Sequence, residues 1–454
     1  MIRKTIAAAM LLLATPLAAQ SQQEALQTRY DRALAAGYKA LFLCSAIANA
    51  ERAGASRSVD SIAHWELTGV NARHDAYVSE FDYALVRAAN GGLDYVSVAW
   101  DDNMPPRIAR HRAAEGCAIA PIGTDAQPSE FAIPKSIYAG HPIRLAPLVP
   151  PSGAMEDVIA GAFAGQYGDG SRTTAVLVRR NDATIAESYA EGFEILVPQR
   201  TWSVAKSIAA TLVGAAVHRG EADVTASAEL GENESDPRRV ITIDHLLRMA
   251  SGRYSDTPGN RTEPLYWGGA SIEESATHWP LVAAPGTTFR YANNDTLMAV
   301  RAIKSGFDRH SPAAFFEKLG MRSTVAETDW QGDYVLSSQV WSTARDLALL
   351  GQLYLDDGVL PTGERILPEG WVDYVASPSG PQPDGPFGYG AGFWLLNDSD
   401  GVPADTFAAM GNRGQYVVIV PSMNTVIVRR GEDPSGSRFD IAAFTRDVLE
   451  KLRE

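Results

Sequence analysis

The sequence predicts an α/β fold in which one sheet is split by a helical insertion. Three observations predict it. Alternating apolar segments occur early, at 173–179 and 183–189, and return late, at 415–421 and 425–429. Helix signals dominate between them, from 204 to 325. A last helix is expected over 441–452, after the late strands. At 454 residues, 45% hydrophobic and 21% charged, the chain can bury large cores in two or three domains.

The elements follow in order. Residues 1–19 read as a secretory signal: Arg3 and Lys4 are a basic start, 6–14 an apolar stretch, and Pro16 with Ala18 and Ala19 a cleavage region. Some nine apolar residues are too few to span a bilayer. No Cys follows Ala19 to carry a lipid, and there is no twin-arginine pair. The expectation is a periplasmic or secreted protein with no membrane span in the mature chain. Its two cysteines, Cys44 and Cys117, are then expected to form a disulfide; two buried thiols are the alternative.

Residues 24–120 read as a mixed segment, with a helix over 25–50 and paired strands at 92–100 and 107–112 across a Met-Pro-Pro turn. Seven of the 26 prolines fall in 121–151, which predicts an extended connector. Strands 173–179 and 183–189 form a hairpin around Asn181-Asp182 that leads into a helix beginning at Ser203. A helix over 242–252 should stop at Gly252, and 390–396 should be a strand.

Composition excludes some functions. A formal charge of −14, with no basic stripe, argues against nucleic acid. Eight scattered histidines, without a His-x-x-x-His pair, argue against a metal site. Gly388-Tyr-Gly-Ala-Gly392 leads into a strand and not a helix, so it is no nucleotide loop. There is no Gly-x-Ser-x-Gly elbow. No cofactor is expected.

The chemistry points to Ser203-Val-Ala-Lys206. Residues three apart on a helix share a face, so this spacing sets a hydroxyl beside an amine. The following residues, 207–217, are apolar on almost every side, so Lys206 would be carried into a dry interior, where burial lowers its pKa toward that of a useful base. Chance supplies about one or two Ser-x-x-Lys matches in a chain of this length. Here only seven lysines occur, and no other has Ser three positions earlier.

Tyr291-Ala-Asn293 follows 88 residues after Ser203. A phenol beside an ammonium can shuttle a proton to a leaving group; alone, the motif carries no signal and a buried tyrosine explains it equally. Asn412-Arg413-Gly414-Gln415 opens an apolar strand, as an oxyanion site or an ordinary turn. His245 reads as structural, and Tyr266-Trp267, in a Gly/Pro-rich loop, as core or pocket lining.

Taken in order, Ser203-x-x-Lys206, Tyr291-x-Asn293 and the strand start at 412–415 resemble class C β-lactamases and penicillin-binding-protein-like serine hydrolases. Thr201-Trp-Ser-Val-Ala-Lys-Ser207, Pro285-Gly-Thr-Thr-Phe-Arg-Tyr291 and Trp341-Ser-Thr-Ala-Arg-Asp-Leu347 share that family's wording, closest to 6-aminohexanoate-dimer hydrolases and related esterases or peptidases. The resemblance spans about 160–450. It implies an α/β sandwich with a helical domain inserted over roughly 215–330, the whole covering 151–454, and leaves 20–150 as an N-terminal extension and connector.

It further implies acylation of Ser203, with Lys206 and Tyr291 sharing the acid and base roles. Asn293 would hold Lys206 and substrate, and the N–H groups of Ser203 and Gln415 would form the oxyanion hole. Where relatives carry Lys-Thr-Gly, this chain has Asn412-Arg413-Gly414, which weakens the case for lactams. Adjacent strand residues face opposite sides, so only one of Asn412 and Arg413 should face the site. With Arg413 outward, neutral linear amides or esters are favoured. With Arg413 inward, substrates with a free carboxylate, such as short peptides or ω-amino-acid oligomers, become expected. The rival readings are a β-lactamase or D-alanyl-D-alanine peptidase, and an inactive binding protein of the same fold. The expected partner is a small molecule or short peptide.

Overall fold

The computed structural model describes residues 2–125, 146–254, 262–378 and 380–453, with side chains from residue 20. A seven-stranded sheet, antiparallel throughout, organises the C-terminal two thirds. Its order is Gly388–Tyr389, Trp394–Leu395, Phe407–Gly411, Gln415–Val420, Thr425–Gly431, Thr173–Arg180 and Ala183–Tyr189. The early hairpin thus joins the late strands in one sheet, through the pairing of Thr425–Gly431 with Thr173–Arg180.

Strict alternation sorts its side chains onto two buried faces. Val176, Val178, Val418, Val420 and Ile427 pack under the helices Ala154–Phe163 and Ile441–Lys451. Leu177, Val417, Ile419, Val426 and Val428 face the opposite core, which contains the helices Val204–His218 and Ala344–Leu355. Helices cover both faces, which is the α/β sandwich the sequence predicts. The residues between the two groups of strands fold mainly as short helices, with a small sheet of Gln199–Arg200, Val340–Ser342 and Val325–Ala326.

Several expected elements are shorter than predicted. The helix expected over 242–252 is only Ile243–Leu247, because Met249 turns into the left-handed region at φ 57°. His245 closes its capping box, its Nδ1 accepting from Thr242 N at 3.2 Å, a structural task. The strand expected over 390–396 is reduced to Trp394–Leu395. Of the proline-rich connector, 126–145 lies outside the described residues.

The extension is built on one helix, Ile2–Ala53. From Gln20 it starts polar and exposed and then carries an apolar window long enough to cross a bilayer, yet that window is wholly buried in the fold. Such a window belongs in a core. On one side it meets a four-stranded meander: Tyr83–Arg87, Leu93–Val98, Arg107–Arg112 and Gly116–Ile119. The second and third are the pair expected across the Met-Pro-Pro turn. Cys44 and Cys117 are bridged, tying the helix to the last strand. On its other side Phe42 lies 5.9 Å from Trp202 and 5.8 Å from Trp341, ring centre to ring centre. The extension therefore shares a single apolar core with the sheet's inner face.

Candidate active site

Ser203 ends a tight turn. The strand Gln199–Arg200 leads to Trp202, which holds φ 50°, a left-handed backbone unusual for a bulky side chain and found where surrounding packing imposes it. Ser203 then caps the helix Val204–His218, whose positions 204–216 are all buried. The hydroxyl thus sits at the positive end of a helix dipole. Gly392 makes this helix fit: at φ 79°, a Cβ there would lie 2.7 Å from Ala210 Cβ.

Lys206 is 2% exposed and has three partners. Its Nζ donates to Ser203 Oγ at 3.0 Å, to Asn293 Oδ1 at 2.6 Å and to the Ser337 carbonyl at 2.9 Å. These match the three donors of an ammonium. Burial brings its pKa down to about 7, with no carboxylate among the described residues to offset the loss of water. Asn293 is itself held, donating through Nδ2 to Thr262 Oγ1 at 3.2 Å. The Ser337 carbonyl was invisible in the sequence reading, because a backbone oxygen leaves no residue signature.

Tyr291 faces the same pair. Its ring centre lies 5.0 Å from Lys206 Nζ, and its ring packs 5.3 Å from that of Trp394. Burial pushes the phenol up to about 12, against hydrogen bonds with Ser203 and Trp394 that pull it down. Sequence motifs thus converge on one constellation of Ser203, Lys206, Tyr291 and Asn293. It opens into a cleft of about 1640 Å³, which Tyr266, Trp267 and Asn412 also line.

The hairpin at 411–415 differs from the sequence reading. Asn412 is exposed to the cleft, but Arg413, Gly414 and Gln415 are buried and do not line it. Arg413 faces away, its Nε donating to Glu432 Oε2 at 2.6 Å. The Gln415 side chain is likewise turned away from the cleft, bridging the Gly431 carbonyl and the Arg430 guanidinium. Gly414 is a packing glycine at φ 78°, and a Cβ on it would collide with Arg429 Nη1 at 1.7 Å.

The side chains of Arg413 and Gln415 are thus taken up by buried ionic and amide partners and do not reach the cleft. Gly411, which the sequence reading missed, packs closely against the nucleophile's backbone. A Cβ on it would stand 2.4 Å from Thr201 O and 3.0 Å from Ser203 N. The strand edge beside Ser203 is thus Gly411-Asn412, not Gln415.

The sequence profile of the Beta-lactamase family matches residues 164–447. The 6-aminohexanoate-dimer hydrolase of Paenarthrobacter ureafaciens is 26% identical over 292 residues, 58% of this chain and 73% of that protein. A Bacillus anthracis structure, designated a candidate 6-aminohexanoate-dimer hydrolase, superposes with a TM-score of 0.53 at 23% identity, covering 63% of this chain and 79% of that one. The octameric penicillin-binding protein homologue of Pyrococcus abyssi gives a TM-score of 0.50 at 17% identity, covering 66% and 76%. At these identities the structures share a fold with this chain. The chain belongs to the Beta-lactamase family, as a hydrolase of that fold related to 6-aminohexanoate-dimer hydrolase.

Proposed function

We propose that the protein is an exported serine hydrolase that cleaves neutral linear amides or esters through an acyl-enzyme on Ser203. The observation that carries this reading is Lys206 Nζ, 3.0 Å from Ser203 Oγ, with its pKa lowered to about 7. A neutral amine has two N–H donors and one lone pair. The donors stay on Asn293 and Ser337, and the lone pair is left for the Ser203 proton.

The two pKa directions divide the work. Tyr291, pushed up to about 12, is a protonated phenol at neutral pH and serves as an acid; Lys206 serves as the base. Ser203 Oγ loses its proton to Lys206 and adds to the substrate carbonyl. The oxyanion is held by the N–H groups of Ser203 and Asn412. The proton then passes by way of Tyr291 to the departing amine or alkoxide, leaving the acyl-enzyme. Water repeats the sequence in reverse roles, releasing the carboxylic acid and restoring Ser203.

The neutral-substrate reading rests on the hairpin edge, where the cleft wall at 412 presents an amide and Arg413 points elsewhere, while Arg73 and Arg438 line the cleft away from that edge. That argues against the β-lactamase or D-alanyl-D-alanine peptidase reading, in which a cation at this edge grips a carboxylate. The inactive-binder reading is disfavoured by the intact bonding around Ser203. Export rests on the apolar N-terminal segment and the Cys44–Cys117 bridge. The test is covalent labelling of Ser203 by a fluorophosphonate, followed by rates on p-nitrophenyl butyrate, linear amides and nitrocefin. Labelling with turnover of the linear compounds supports the proposal; turnover of nitrocefin alone overturns its substrate class.

A further inference from the structure

We infer that Arg413 is a positioning residue through which the N-terminal extension holds the Gly411-Asn412 edge against the nucleophile. This rests on the reading of Ser203 as nucleophile. Arg413 is 4% exposed, and its Nη2 reaches the carbonyl oxygens of Trp65 at 2.7 Å and Thr68 at 2.9 Å. Both carbonyls belong to the extension, at the end of the helix Val59–Trp65 and just beyond it. With Glu432 on Nε, the guanidinium joins three chain segments far apart in sequence.

The extension side of this clamp is itself fixed. Arg57 and Glu66 form a buried ion pair in which Nη2 donates to Oε1 at 2.7 Å and Oε2 at 2.6 Å, and Arg57 Nη1 donates to the Gly192 carbonyl at 2.6 Å. Ser435 N donates to the Gly69 carbonyl at 2.7 Å, and a Cβ on Gly69 would lie 2.8 Å from Pro434 Cβ. Arg413 holds φ 57°, a backbone region that a non-glycine residue keeps only when its surroundings impose it. Two residues earlier, Gly411 touches Thr201 O and Ser203 N with no room for a Cβ.

Asn412 thus lies between a fixed contact with the nucleophile and a fixed contact with the extension. Oxyanion donors work only within a few tenths of an ångström of their proper place. Releasing Arg413 frees one end of that three-residue span. The extension also enters the cleft directly, since Val70, Asn71, Ala72 and Arg73 line it. Lying behind Trp202 and beside the hairpin, it holds both sides of the site in place.

The test uses the full chain with Arg413→Met, Arg413→Lys, Gly69→Ala and Ser203→Ala. Turnover of an ester, fluorophosphonate labelling rate and melting temperature are measured for each. Below its melting temperature, Arg413→Met is expected to lose about 100-fold in kcat and labelling rate with KM within about twofold. Arg413→Lys keeps the charge but not the fork, and recovers part of the loss. Gly69→Ala pushes the Thr68 carbonyl away from Pro434 and lowers kcat in the same direction. In the Arg413 and Gly69 variants the pH limb set by Lys206 near 7 stays in place, because these three changes leave its partners Ser203, Asn293 and Ser337 untouched.

Unchanged kcat in folded variants, with only a lower melting temperature, would overturn the positioning role. If Arg413→Met does not fold, Arg413→Lys and Gly69→Ala decide. Turnover surviving in Ser203→Ala would instead overturn the nucleophile reading, which separates the two failures.

Discussion

The Ser203–Lys206 pair and the hairpin opposite are both short motifs, yet they are held in different ways. The pair is local. Three residues of helix set its geometry, and its pKa follows from a helix buried on every side. The hairpin takes its orientation from groups far away: Glu432, Arg430 and two carbonyls of the extension. Local spacing can be read from a sequence, whereas facing depends on which partner wins the side chain. At 412–415 the same residues fit an inward or an outward arginine, and a buried carboxylate decided for outward.

Loss of the local pair should cost the most activity. Ser203→Ala is expected to abolish turnover and labelling, a loss of at least about 10⁴-fold, while the melting temperature stays near that of the parent. Near-normal turnover in that variant would end the mechanism. Next come Lys206→Ala and Tyr291→Phe, each expected to cost about 10³-fold, with the double variant hardly worse because the groups act as one unit. Fully additive losses would mean that they act separately.

The same pair predicts a pH profile. Lys206 must be neutral to accept a proton, so kcat/KM should rise about tenfold per pH unit up to about 7 and then level off. Tyr291, pushed up to about 12, should remain protonated across that plateau. A rate that falls between pH 7 and 9 would contradict both assignments.

On the extension's side, the Cys44–Cys117 bridge spans 73 residues of sequence, and closing such a loop stabilises by about 4 kcal/mol on the entropic account. Cys44→Ala with Cys117→Ala should therefore lower stability by about that amount in a denaturant titration. The pH limb near 7 should remain, since Lys206 keeps its partners. An unchanged unfolding midpoint would show that the apolar core alone fixes the extension.

Much of the fold was legible for physical reasons of the same kind. Two-sided alternation at Val176–Val178 and Val417–Val420 marks strands buried on both faces, and the hairpin at Asn181-Asp182 marks its own turn. What escaped was short or non-local. Gln199–Arg200 and Val325–Ala326 are two-residue strands, too brief to show a period. The Ser337 carbonyl carries no side-chain signature. Nothing in residues 33–50 says that Phe42 will pack behind Trp202, because a helix buried on every side does not name its neighbours.

The smallest expected effect separates the two sides of the hairpin most cleanly. Asn412 points into the cleft and Arg413 points out of it, so inspection would rank Asn412 as the functional side chain. On the reading argued above, only the backbone N–H of residue 412 takes part, and any side chain leaves that donor in place. Truncating an exposed side chain away from a buried network costs little, about 0.5 kcal/mol or less in stability. Asn412→Ala is therefore expected to change kcat/KM on a small neutral ester by no more than about fivefold, with the melting temperature unmoved. A loss matching that of Arg413→Met would mean that the Asn412 amide itself binds substrate and that the cleft is read by side chains at this edge. A small change would leave the buried arginine, outside the cleft, as the residue that matters more.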